Sequence, residues 1–141
     1  AILSIADKLD SILGYFSIGL KPSSSSDPFA LRRQTLGVIK ILIDQKWSLN
    51  LETTLAKAYA KSHLGDSGEA IIEEILQFFK NRLKTVFEDF QLDRSLIEAS
   101  LSHAVNNPYD EFCKITALCQ FKSTGSFSPL LEVYKRARGQ I

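Results

Sequence analysis

Apolar residues recur along this chain at steps of three and four, the spacing that places them on one side of an α-helix. Ile2, Ile5, Leu9, Ile12, Leu13 and Phe16 form the first such stripe and predict a helix over 2–18, with Asp10 at its border and Asp7 further round. The most informative stretch follows: DPFALRRQTLG, Asp27–Gly37, which runs on through VIKILIDQKW to about Lys46. Asp27 is suited to accept the free N–H groups of a first helical turn. Pro28 is suited to the first helical position, where its missing N–H costs nothing. On a wheel of about 100° per residue, Phe29, Leu31, Leu36, Val38, Ile39, Leu42 and Ile43 share one arc, while Arg33, Gly37, Lys40 and Asp44 share a narrow polar strip. Two residues break this pattern. Arg32 falls inside the apolar arc, where an unpaired cation is costly, so it requires a carboxylate or a phosphate. Pairing with Asp10 or Asp7 of the preceding helix is the expected solution. Gly37 lies mid-helix at a cost of about 1 kcal/mol relative to alanine, which predicts another backbone or a ligand close on that side.

The same periodicity continues. Gly19 to Ser26 reads as a loop, with Ser23–Ser26 as a solvated connector rather than an anion site, because no Walker-type lysine follows. Trp47 is expected to pack over the end of the second helix. Asn50 can cap a third helix, 51–64, with Leu51, Leu55, Ala58 and Tyr59 inward. Gly65-Asp66-Ser67-Gly68 breaks the chain. Residues 69–90 predict the longest helix, whose seam is Ile72, Leu76, Phe79, Leu83, Val86 and Phe90. Asp93 can cap a fifth helix ending near Asn106-Asn107. Asn107-Pro108 opens a sixth, to about Phe121, with Phe112, Ile115, Leu118 and Cys119 inward. Ser128-Pro129 starts a seventh that carries Leu130, Leu131, Val133 and Tyr134 and ends in Lys135, Arg136 and Arg138. No segment alternates with period two. The expected class is all-α: about seven antiparallel-packed helices in two small subdomains, 1–66 and 67–141.

Composition narrows the chemistry. With 141 residues and a net charge of +1, no global field draws nucleic acid, so any such contact must be a local patch. Lys80, Arg82 and Lys84 read as a solvated face, with an RNA patch as the alternative. The cations closing the last helix are favoured there by the helix dipole alone. Cys113 and Cys119 are too few for a disulfide scaffold and, six apart on one helix, face away from each other; both read as reduced core thiols. His63 and His103 stand alone near helix ends, outside any HExxH or CxxC spacing. Asp7 and Asp10 have a spacing that two metal-binding carboxylates can use, but further ligands are not evident. No apolar run reaches the eighteen or so residues of a membrane span, and no signal peptide is evident. The chain begins at Ala1 and lacks methionine, which predicts a processed chain or an excised fragment.

Several of these stretches together resemble the β subunit of bacterial-type glycyl-tRNA synthetase. They are Ala6-Asp7-Lys8-Leu9-Asp10, Gly14-Tyr15-Phe16, Ile18-Gly19, Asp27-Pro28-Phe29-Ala30-Leu31-Arg32-Arg33 and Leu36-Gly37-Val38-Ile39. Phe78-Phe79-Lys80-Asn81-Arg82-Leu83, Ala117-Leu118 with Phe121, and Lys135-Arg136 resemble it more loosely. Three places depart from the family: the serines of 23–26 replace a Thr-Gly-Ser-Lys-like stretch, Lys114 stands where arginine is frequent, and Ala137-Arg138-Gly139 is unusual.

The resemblance implies an enzyme that joins glycine to its tRNA with ATP and Mg²⁺. It is built as two α and two β chains or as a dimer of fused chains, and is cytoplasmic, with no membrane. Aminoacylation would belong to the α part, a separate subunit or fused. This chain would carry no aminoacylation site and hold no cofactor. It would be the end of an HD-like helical domain followed by a helical connector before the anticodon-binding domain. Asp7 or Asp10 would sit near the last of the HD metal-binding aspartates, and the earlier His and His-Asp elements would lie upstream. Under that reading Arg33 and Lys40 are the phosphate contacts, with Arg136 and Arg138 secondary, while Arg32, Asp10 and Asp7 are structural. The alternatives are a protein-interaction module that docks on a partner subunit through helix 69–90, and a remnant of a metal-dependent phosphohydrolase, which needs histidines converging on Asp7 or Asp10.

Overall fold

The computed structural model describes residues 1–27, 29–62 and 65–139; Pro28 and His63 lie outside them. Among the described residues there are seven helices and no strand: α1 (Ile2–Ser17), α2 (Leu31–Gln45), α3 (Leu51–Ser62), α4 (Gly68–Asp89), α5 (Arg94–Ser100), α6 (Pro108–Ser123) and α7 (Phe127–Gly139). The all-α expectation is met.

Local chemistry sets the helix ends. α1 stops at Gly19, whose φ of +79° is left-handed; Leu20 N–H bonds the Tyr15 carbonyl at 2.9 Å and Gly19 N–H that of Phe16 at 3.2 Å. α2 and α4 end in the same way without glycine, on Lys46 and Gln91, each at φ +57°. α2 also begins later than its sequence suggests. Asp27 does cap, but from a distance: its two carboxylate oxygens accept Leu31 N–H at 2.8 Å and Arg32 N–H at 3.0 Å across a turn that ends in left-handed Ala30. Asn50, Asp93 and Asn107 cap α3, α5 and α6 as expected. α5 is shorter than predicted. After Ser100 the chain turns back so that the Asn106 carbonyl accepts Leu51 N–H at 2.8 Å and the Asn106 amide donates to Glu52 at 2.6 Å.

The core is one cluster. α4 lies at its centre against α1, α2, α3 and α5, with Ile75, Phe79, Leu83 and Phe87 wholly enclosed. Each such side chain contributes on the order of 1.5–3 kcal/mol relative to exposure. Ile12, Ile39 and Leu55 from before the 66/67 break join the same cluster as Ile75 and Ile97 from after it, so the break does not separate two cores. α1 and α2 are antiparallel. Tyr15 stacks on Phe29 at 4.1 Å near one end, and Ile5 and Leu9 share a groove with Leu42 and Trp47 near the other. Thr35 is buried on α2, its hydroxyl satisfied by donating to the Leu31 carbonyl at 2.8 Å.

Several expected core positions are not enclosed; Ile2, at the start of the first stripe, is 71% exposed. Phe90, at the end of the α4 seam, is 52% exposed because α4 stops there and the chain turns away. Leu118 is 41% exposed on the outer side of α6. Cys113 and Cys119 are free thiols as predicted, but the first is exposed and the second half-buried. α7 packs on α6 through an edge contact between Phe121 and Phe127 and buries none of its own residues.

Candidate nucleic-acid interface

The polar strip of α2 faces solvent. Arg33 and Lys40 are both exposed, four residues before and three after Gly37, so they flank it on one face. Gly37 is approached closely, by a side chain rather than a backbone. The aliphatic stem of Lys8 from α1 crosses it, with Cε 3.0 Å from where a Cβ would stand. The ammonium of Lys8 donates to Ser4 Oγ at 2.7 Å, one turn back along α1. Because the two helices are antiparallel, that direction carries the charge toward Lys40. Arg33, Lys8 and Lys40 thus form a row of three cations drawn from two helices. Among the described residues no carboxylate lies within 4.0 Å of any of them. The periodicity of a single helix does not reveal Lys8; the unexplained glycine is the only signal for it.

Lys40 also borders an open groove of about 720 Å³ between α2, the end of α4 and α6, lined by Ile41, Ile43, Asp44, Phe90 and Phe112. Phe90 and Phe112 meet at 5.1 Å, and Phe112 in turn meets Phe87 at 6.2 Å.

Arg32 does not pair with Asp10 or Asp7. Its guanidinium donates to the carbonyl of Ser23, and both aspartates are exposed without an ion pair among the described residues. The reason is the late start of α2. Arg32 falls in the first turn, beside the 21–30 loop, where it is only half-buried and a loop carbonyl is at hand. Arg136 and Arg138 are exposed at the end of α7. Among the described residues no ion pair links them to the rest of the chain.

Several other charged groups make contacts within the fold. Arg82 lies over the Phe78 ring at 5.6 Å, a cation–π contact. Glu111 is buried between α5 and α6. It accepts from the Ser100 hydroxyl and has His103 at 3.7 Å and Lys114 at 3.9 Å, so His103 is not isolated. Asp93 joins Lys122 at 2.7 Å. Lys122, then Ser95, then the Leu96 amide hold its carboxyl well below the usual range. Among the described residues no three His, Cys, Asp or Glu side chains gather where a metal ion could sit. Among the described residues no helix is long and apolar enough to cross a membrane.

A family model described as glycyl-tRNA synthetase beta subunit matches residues 1–102. Curated relatives named glycine–tRNA ligase beta subunit include those of Clostridioides difficile, 36% identical over 135 residues; Geotalea daltonii, 38% over 138; and Desulforamulus reducens, 37% over 141. The alignments cover 95%, 96% and 97% of this chain and 20% of each relative. The chain therefore spans about a fifth of the length of the relatives it matches.

Proposed function

Since the chain belongs to the glycyl-tRNA synthetase beta subunit family, we propose that it is a non-catalytic segment that positions tRNA for the ligation of glycine. Residues 1–66 would be the C-terminal part of an HD-like domain, and 67–141 a connector leading to an anticodon-binding domain. The whole enzyme, cytoplasmic, would take ATP and Mg²⁺ at its α part, as an α2β2 assembly or a dimer of fused chains. The observation that carries the reading is the unpaired row Arg33–Lys8–Lys40. In a chain of net charge +1 these cations lie on adjoining faces of α1 and α2, with no carboxylate within 4.0 Å of any of them among the described residues. A phosphodiester laid along the row releases condensed counterions, which supplies affinity and register but no sequence information.

The test is tRNA affinity against salt for Arg33→Ala, Lys8→Gln and Lys40→Gln. Each is expected to weaken binding and to lower the logarithmic salt slope by about 0.7–0.9 for every phosphate left without its cation. An unchanged slope in all three variants would refute the reading.

A second reading, docking on a partner subunit, is favoured by α7 and not by the 69–90 helix, whose seam is buried apart from half-buried Leu76 and exposed Phe90. Leu130, Val133 and Tyr134 of α7 are 57%, 62% and 58% exposed. Association with the partner subunit that disappears in Leu130→Glu, with tRNA binding intact, would support it.

A further inference from the structure

We propose that the groove beside Lys40 holds an unpaired nucleobase of the bound RNA, stacked on Phe90, with the adjoining phosphate on Lys40. The proposal rests on the tRNA reading above and adds a site to it.

Phe90 is a large aromatic side chain at a helix end with half of its surface open to water. Its ring does not hang free. Phe112 holds it at 5.1 Å with the planes tilted by 53°, and Phe112 is itself braced by buried Phe87. The ring is therefore positioned before any ligand arrives, which reduces the ordering cost of binding. Ile41 and Ile43 complete an apolar lining, and the groove volume of about 720 Å³ lies within the 300–1,000 Å³ range of small-ligand sites. Two charges stand at the rim, Lys40 and Asp44, both exposed and neither in an ion pair among the described residues. The Gln45 amide donates to one Asp44 oxygen at 3.0 Å, which leaves the other open to a ligand. The Lys40 ammonium suits a phosphate. The Asp44 carboxylate repels a second phosphate but accepts a hydrogen bond from an exocyclic amino group such as cytosine N4. One cation, one acceptor and an aromatic floor together match a single nucleotide entering base first. Aromatic platforms beside a basic track are the general solution for unpaired nucleic acid. The basic track here is the Arg33–Lys8–Lys40 row, and the groove opens at its Lys40 end.

The experiment compares an RNA hairpin carrying a short single-stranded cytidine tail with the same hairpin blunt-ended. Phe90→Leu keeps the apolar bulk and removes the ring. It is expected to lose about fivefold or more in affinity for the tailed hairpin, to bind the blunt one unchanged, and to keep the salt slope. Phe90→Trp supplies an independent readout. It is expected to retain tail binding, with emission quenched on stacking relative to the unsubstituted chain, in which Trp47 is the sole indole.

If Phe90→Leu binds the tailed hairpin as well as the unsubstituted chain does while Arg33→Ala is weakened, the groove is excluded and the tRNA reading stands. An equal loss on both hairpins assigns Phe90 to packing and also overturns the proposal. Should Phe90→Leu fail to fold, absence of quenching in Phe90→Trp overturns it alone. If neither Arg33→Ala nor Lys40→Gln is weakened, the tRNA reading itself falls, and the groove with it.

Discussion

Two glycines show how a single missing Cβ can have opposite meanings. At Gly37 an added methyl meets the middle of a flexible lysine stem at 3.0 Å, which can move aside; at Gly68 it meets the buried ring of Tyr59 at 2.7 Å, which cannot. Gly37→Ala is expected to hold or raise stability, by up to about 1 kcal/mol from helix propensity, while weakening RNA binding because Lys8 is pushed off its track. Gly68→Ala is expected to lose about 1–3 kcal/mol through overpacking. Urea unfolding of the two variants, with RNA titration of the first, checks both. The residue scale is also where periodicity reaches its limit. Gly37 is recognisable in sequence as a place of close approach, but nothing in one helix says that the visitor is Lys8. Arg32 is recognisable as a cation among apolar neighbours. Its partner is not, because its exposure depends on the turn at Ala30, a left-handed alanine with no sequence signature.

At the scale of the helix, ends are more legible than lengths. Asn50, Asp93 and Asn107 cap where their side-chain chemistry places them, whereas α5 stops at Ser100 and the chain beyond it is held by a tertiary bond that Leu51 N–H donates to the Asn106 carbonyl. Asp93 is the most heavily used of these caps, since it serves the α5 amides and Lys122 of α6 together. Its carboxyl is held below the ordinary aspartate value of 3.8 in the folded state. A depressed acid stabilises the fold above its unfolded value and loses that contribution as pH falls through the folded one. Asp93→Asn keeps a capping oxygen and removes the charge. It is therefore expected to be less stable than the unsubstituted chain at neutral pH, with the gap closing below about pH 3.8. Urea midpoints measured from neutral pH down to about pH 2 give the sign. A gap that widens on acidification would contradict the Lys122 pairing.

Across the whole molecule, class and helix count follow directly from the 3.6-residue period, because no stretch competes for strand. The number of cores does not follow. A Gly-rich break looks like a boundary in one dimension, yet α4 crosses back over all three preceding helices and fuses both sides into one cluster. Exposure at the edges is equally hidden. Phe90 and Leu118 satisfy the apolar period but are covered only in part, since the period says which way a residue faces and not how much of it a neighbour covers.

α7 stands at the far edge of this arrangement, joined to α6 by the Phe121–Phe127 contact and a short serine-glycine turn. With no enclosed apolar side chain to hold it, its opening costs little compared with opening the rest of the molecule. Its backbone amides are therefore expected to exchange with deuterium well before those of α4, and limited trypsin to cut first after Lys135, Arg136 or Arg138. Mass spectrometry of either reaction reads the order. The two terminal arginines would then ride on a loosely tethered arm, able to sweep a volume of solvent that the cations anchored on α1 and α2 never visit.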